Sequence, residues 1–142
     1  MKNVVMTICA SALLLLASCS KGYKPIEYGS DGCAHCKMTI MDARYGAEVI
    51  TDKGKVYKFD DILCMKQYIT EQNMNEAELS LFVEKYTAEK NDVTDAKQAT
   101  YLQHEYFASP MNGDYAAFIN ATEAQKFADS LQVSMLQWNN IQ

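Results

Sequence analysis

The constraint that most narrows the fold is an order of elements that occurs twice. Residues 46–59 alternate as two extended arms, Ala47 and Val49, then Val56, Tyr57 and Phe59. Between them lies Asp52-Lys53-Gly54-Lys55, whose Lys-Gly step flanked by β-formers marks a turn. Asp60 or Asp61 then stands where a helix cap is wanted, ahead of Ile62, Met65 and Ile69 at helical spacing. This predicts a helix running to about Asn73, a short helical stretch over Asn75–Glu78, and a strand from Leu79 to Tyr86. Residues 88–98 are polar and read as a loop or a short turn of helix.

The second half repeats the pattern. Strands are predicted over Thr100–Ala108 and Tyr115–Ile119, joined by Ser109-Pro110-Met111-Asn112-Gly113-Asp114. Thr122 with Gln125 three residues on is a capping-box pattern opening a helix through Ala124, Phe127, Ala128 and Leu131. A closing strand is predicted over Val133–Trp138. The expected class is α+β, with two small ββαβ-type units at 33–87 and 88–142.

The chain ahead of these units is of a different kind. Lys2 precedes the apolar run Ala10 to Leu16, and the small residues Ala17 and Ser18 stand directly before Cys19. This is the layout of an export signal, and the run is shorter than the ~20 apolar residues a membrane span needs. Leu16-Ala17-Ser18-Cys19 resembles the bacterial lipobox, which makes Cys19 the expected lipid attachment site after removal of 1–18. More than one acyl chain gives stable membrane anchoring. Residues 19–32 hold three of the six glycines and no apolar periodicity, and are expected to be a lipidated terminus and flexible tether. The localisation that follows is the cell envelope, on a membrane and facing the periplasm.

Charge excludes one class. Thirteen basic residues face 18 acidic ones, a formal net charge of −5 that grows by one when Lys2 is cut away. A nucleic-acid binder normally carries the opposite sign, so no nucleic-acid partner is expected.

Five cysteines fall into three groups. Cys9 leaves with the signal, Cys19 takes the lipid, and Cys33, Cys36 and Cys64 remain. An odd number of thiols in an exported chain does not make a pure disulfide framework. The informative segment is Asp31-Gly32-Cys33-Ala34-His35-Cys36-Lys37-Met38. A Cys-x-x-Cys turn aims two sulfurs to one side, and Met38 follows where the chain becomes extended, on the side Cys36 shares. Thiolate with thioether is a soft donor set that favours Cu(I), whereas zinc sites seldom use Met. Haem attachment would need His at position 37, which is Lys. A thioredoxin-like pair should open a helix after a strand, and Thr39-Ile40-Met41 continues toward a strand.

Met111, in a turn rather than on a helical stripe, is divided between turn packing and a fourth soft donor. His35 is divided between donor and loop residue. Cys64 reads as a small buried hydrophobe on its helix. Met65, Met74 and Met135 fit core faces, and His104 reads as structural. No nucleophile elbow, P-loop or dinucleotide fingerprint is present in the sequence, and an enzyme is not expected. The rival readings are an envelope thiol-disulfide oxidoreductase using Cys33/Cys36, and a structural lipoprotein with a local disulfide.

Taken together, the lipobox, Cys33-x-x-Cys36-x-Met38 and Asp42-x-Arg44-Tyr45-Gly46-Ala47 resemble the NosL family of nitrous oxide reductase accessory lipoproteins. Asp95-Ala96-x-x-Ala99-x-Tyr101 and Ser109-Pro110-Met111-x-x-Asp114-x-x-Ala117-Phe118 extend the likeness over nearly the whole mature chain. Members commonly carry Gly before the Met, where this chain has Lys37. The resemblance implies a membrane-anchored periplasmic Cu(I) metallochaperone. Its implied donors are Cys36 and Met38, then Cys33, with Met111 a conditional fourth. Its implied partner is the machinery that matures nitrous oxide reductase, or another copper-accepting protein.

Overall fold

A computed structural model of the protein describes residues 22–142. The expected signal and the expected lipid attachment site, Cys19, lie outside the described residues. The fold is α+β. Strands β1 (Ala47–Ile50), β2 (Val56–Phe59), β3 (Ser80–Glu84) and β4 (Val93–Asp95) form an antiparallel sheet in the order β2-β1-β3-β4. Helix α1 (Ile62–Glu71) connects β2 to β3. Strands β5 (Thr100–Gln103) and β6 (Tyr115–Phe118) form a second, two-stranded sheet, followed by α2 (Ala121–Leu131). Among the described residues no helix is long and apolar enough to cross a membrane.

The register Ala47↔Phe59 and Ala47↔Val83 explains the burial. Side chains alternate between the two faces of a strand, so Ala47, Val49, Phe59, Leu81 and Val83 share one face. Ile62, Met65 and Ile69 of α1 join them in the main core. The opposite face carries Glu48, Lys58, Phe82 and Glu84, and residues 23–31 cover it. Tyr23 packs edge-on against Phe82 at 5.8 Å between ring centres. Tyr28 Oη donates to Glu84 Oε1 at 2.6 Å, the Lys24 amide to Glu48 Oε1 at 2.8 Å, and Lys58 Nζ to Asp31 at 2.7 Å. The flexible tether expected over 19–32 is therefore wrong for its described part: from Tyr23 onward the segment is packed, with Ile26 buried. Gly46 makes this possible. A Cβ there would stand 2.5 Å from Tyr28 Oη and 3.0 Å from Ile26 Cδ1.

The small sheet is a wall between two cores. Tyr101, Tyr115 and Ala117 face the main core, while Leu102, Ala116 and Phe118 face a second one with Tyr45, Phe107, Ala124 and Ala128. Tyr86, Phe107, Phe118 and Phe127 meet edge-on or tilted there, and the buried Tyr45 hydroxyl donates to the Phe107 carbonyl.

Several element boundaries differ from expectation, each for a local reason. The strand predicted over Thr100–Ala108 stops at Gln103, because His104 Nδ1 accepts from the Tyr106 amide at 3.0 Å and caps a single 3₁₀ turn, Glu105–Phe107. The predicted closing strand shrinks to one bridge, Tyr101↔Leu136, before a second such turn at Trp138–Asn140. Val93-Thr94-Asp95, inside that polar segment, form β4 and pair with β3 rather than making a loop or helical turn. Helix α2 is capped by Asn120, whose side chain accepts from the Glu123 amide, so the Thr122/Gln125 box is not its cap. Met135 is exposed, not a core residue.

Candidate metal centre

The Cys33–Met38 segment closes a tight hairpin. The Cys33 amide donates to the Met38 carbonyl at 2.8 Å and the Lys37 amide to the Cys33 carbonyl at 3.1 Å. Gly32 and Thr39 then bridge across its arms. Lys37 completes the turn at φ +69°, in the left-handed region that favours glycine. The hairpin is pinned to the sheet by the Ala34 amide, which donates to the Lys58 carbonyl at 2.8 Å.

Opposite the hairpin is the N-terminus of α1. Here the two adjacent aspartates divide their work. Asp61 caps the helix, its Oδ1 accepting from the Leu63 amide at 2.7 Å. Asp60 turns the other way and accepts from the Cys36 thiol at 3.3 Å. Within the first turn of the helix, Cys64 is fully buried. The Cys33, Cys36 and Cys64 sulfurs and an Asp60 carboxylate oxygen all lie within 4.8 Å of one another. All three thiols are free. Asp60 is only 1% exposed, and its Oδ1 has no hydrogen-bond partner.

These neighbours spread the thiol acidities apart. A hydrogen bond from the Cys64 thiol pulls Cys33 down to about 6, with the Asp60 amide acting in the same direction against the cost of burial. Cys36 is pushed up to about 11, chiefly by burial. Cys64 is pushed up by the same bond to Cys33 and by its own burial. Of the three thiols Cys33 is thus the one most readily deprotonated, with a neighbouring S–H to support the thiolate. Metal ligation replaces thiol protons with a cation.

The predicted donors are placed as follows. Cys33 and Cys36 are brought together. The Met38 side chain is half exposed at the surface. Met111 is half buried against the main core that also receives Cys36. Its loop is tied to α1 by Asp61, whose Oδ2 accepts from Ser109 Oγ at 2.6 Å and from the Met111 amide at 3.0 Å. Gly113 lets this loop close: a Cβ there would stand 2.6 Å from Leu63 Cβ. His35 points away, its Nε2 3.2 Å from Glu71 at the far end of α1. Cys64 is buried, as expected, but its thiol belongs to the cluster rather than merely to the core.

Asp60 was missed by sequence reasoning. The doubled Asp60-Asp61 ahead of the helix was the available signal, since one cap needs only one of them. Tight hairpin geometry also bears on the redox rival. Cys33 and Cys36 sit in a β-turn, not at a helix N-terminus, and the more acidic thiol, Cys33, is only 2% exposed. A disulfide-exchange nucleophile needs access as well as acidity.

A search of curated proteins finds no match to this chain. Among solved structures, the copper chaperone NosL from Shewanella denitrificans matches with a TM-score of 0.70 at 17% identity. The match covers 85% of this chain and 96% of that one, so the two share a fold. The NosL family model matches residues 26–142, from the first buried residue of the N-terminal segment to the last residue of the chain, and the protein belongs to the NosL family.

Proposed function

We propose that the protein is a membrane-anchored carrier of Cu(I), lipidated at Cys19 and facing the periplasm. Its cargo goes to nitrous oxide reductase or a similar copper enzyme through that enzyme's maturation machinery. Cys33, Cys36 and Met38 are the donors, with Met111 the fourth. The observation that carries the reading is the gathering of three free thiols behind a surface hairpin that ends in an exposed methionine. Soft sulfur donors in that arrangement select Cu(I). Family membership and a shared fold with a protein described as a copper chaperone support it.

Delivery follows from the donor types. A thioether leaves a metal more readily than a thiolate, so Met38 at the surface is the arm that releases first. An incoming donor on the acceptor adds before the last thiolate leaves, and the ion never enters solution. Anchoring at Cys19 holds the carrier where its acceptor works and raises the effective concentration. The role is carriage, not catalysis.

The test is an anaerobic Cu(I) competition titration of the reduced soluble chain beginning at Ser20, beside Cys36→Ser and Met38→Leu. One-to-one binding that weakens in both variants is expected. Absence of binding, or binding indifferent to Met38, sinks the reading and promotes the thiol-disulfide alternative.

A further inference from the structure

Asp60 does not belong in a purely soft site. A carboxylate is a hard donor that offers Cu(I) little, yet this one is buried against three sulfurs with one oxygen unpartnered. A buried acceptor left unpaired is costly. A cation bound to it would remove that cost.

We infer that Cys33, Cys36, Cys64 and Asp60 form a closed four-donor site for a divalent cation of the zinc class, whose occupation excludes the Cu(I) cargo. The inference rests on the reading of Cys33 and Cys36 as metal donors, and adds Cys64 and Asp60 to them. The donor set is the first argument. Three thiolates and one carboxylate are within the range of tetrahedral zinc ligands. The second is spacing. A zinc tetrahedron with bonds of about 2.0–2.3 Å has edges of about 3.5–3.8 Å, and these four donor atoms already lie within 4.8 Å of one another. The third is enclosure. Cys33, Cys64 and Asp60 are buried, and only Cys36 reaches toward the surface. A site with four protein donors and no open position holds its ion instead of passing it on.

The two modes share Cys33 and Cys36 and differ in the rest. The Cu(I) mode draws on exposed thioether, and the divalent mode on buried thiol and carboxylate. Binding is not a redox step. The cation sheds its waters, each ligating thiol gives its proton to solvent, and no electron moves. Since both modes need the same two sulfurs, an ion in the closed site blocks loading.

The test uses Co(II) as a coloured stand-in for Zn(II), titrated into the reduced, metal-free soluble chain beginning at Ser20. One equivalent should develop the intense visible absorption of tetrahedral Co(II), with sulfur-to-cobalt charge transfer of three-thiolate intensity, and Zn(II) should bleach it. Cys64→Ser and Cys64→Ala should abolish the three-thiolate signature, and Asp60→Asn should weaken binding by about tenfold or more. Met38→Leu and Met111→Leu should leave the Co(II) titration unchanged. Protein preloaded with Zn(II) should take up no Cu(I). The charge-transfer intensity of the unaltered protein needs no variant to fold. Circular dichroism of the metal-free variants separates lost donors from lost structure. A weak octahedral spectrum, or full binding by folded Cys64→Ala and Asp60→Asn, overturns the inference. Co(II) binding without Cu(I) binding refutes the carrier reading alone. Cu(I) binding without Co(II) binding refutes this inference alone.

Discussion

Glu48 offers a stability prediction that depends on pH and on nothing at the sulfur cluster. It lies at the centre of the sheet, opposite Lys58 on one side and Phe82 on the other, and is wholly buried under residues 23–31. Oε1 accepts from the Lys24 amide, while Oε2 has no partner. Burial raises its pKa from 4.5 to about 7, against the pull of that amide and of the Lys58 and Lys24 charges. Between those two values the folded state holds a proton that the unfolded chain has released. Stability therefore falls as pH rises through the window from about 4.5 to 7, and the full penalty is present above it. At 1.36 kcal/mol per unit the shift is worth about 3 kcal/mol, or about 2 kcal/mol once residual solvent screening is allowed for.

Glu48→Gln keeps the acceptor for Lys24 and removes the titration. Its amide has its own unsatisfied cost, but that cost is the same at every pH and cancels in a difference. The expected result is that the variant gains about 2 kcal/mol relative to the parent between pH 4 and pH 8. Urea unfolding of both proteins, reduced and metal-free, measures it. A difference that does not change with pH would mean that Glu48 is solvated, or ionised beside Lys58, and would refute the argument.

Other outcomes follow from the loops that frame the cluster. Lys37→Gly should stabilise the metal-free protein by about 1 kcal/mol, because a side chain at φ +69° is strained and glycine is not. A lower urea midpoint for this variant would contradict that. Gly113→Ala should cost about 1–3 kcal/mol by driving a Cβ into Leu63, and should loosen the Met111 loop from Asp61. If Met111 is a donor, Cu(I) affinity in the same variant falls as well, which the competition titration reads separately from stability.

The sequence by itself determined the local events. Period-two alternation at Ala47 and Val49 fixed which residues face α1, and helical spacing at Ile62, Met65 and Ile69 fixed the opposing face of that helix. The turn at Asp52–Lys55 and the cap at an aspartate before Ile62 were equally legible, since each is a contract between residues a few positions apart. The Cys-x-x-Cys-x-Met spacing pointed to soft-metal chemistry for the same reason. Boundaries blurred where a side chain competed with the backbone ladder, as His104 does in ending β5.

What only the tertiary structure decided is which distant residues meet. Glycine-rich, aperiodic residues 23–32 look like linker in sequence, because their anchors, Glu48, Glu84 and Asn91, lie on strands and a loop much further along. Cys64 has the environment of a core residue when read along α1, and becomes a cluster thiol only because the Cys33 hairpin folds over the helix's first turn. Asp60 and Asp61 are indistinguishable as letters; packing against the hairpin on one side and the Met111 loop on the other assigned one to the sulfurs and the other to the cap. Periodicity reports which face of an element is buried, whereas a ligand set depends on which buried faces are pressed together, and that is fixed by long-range packing.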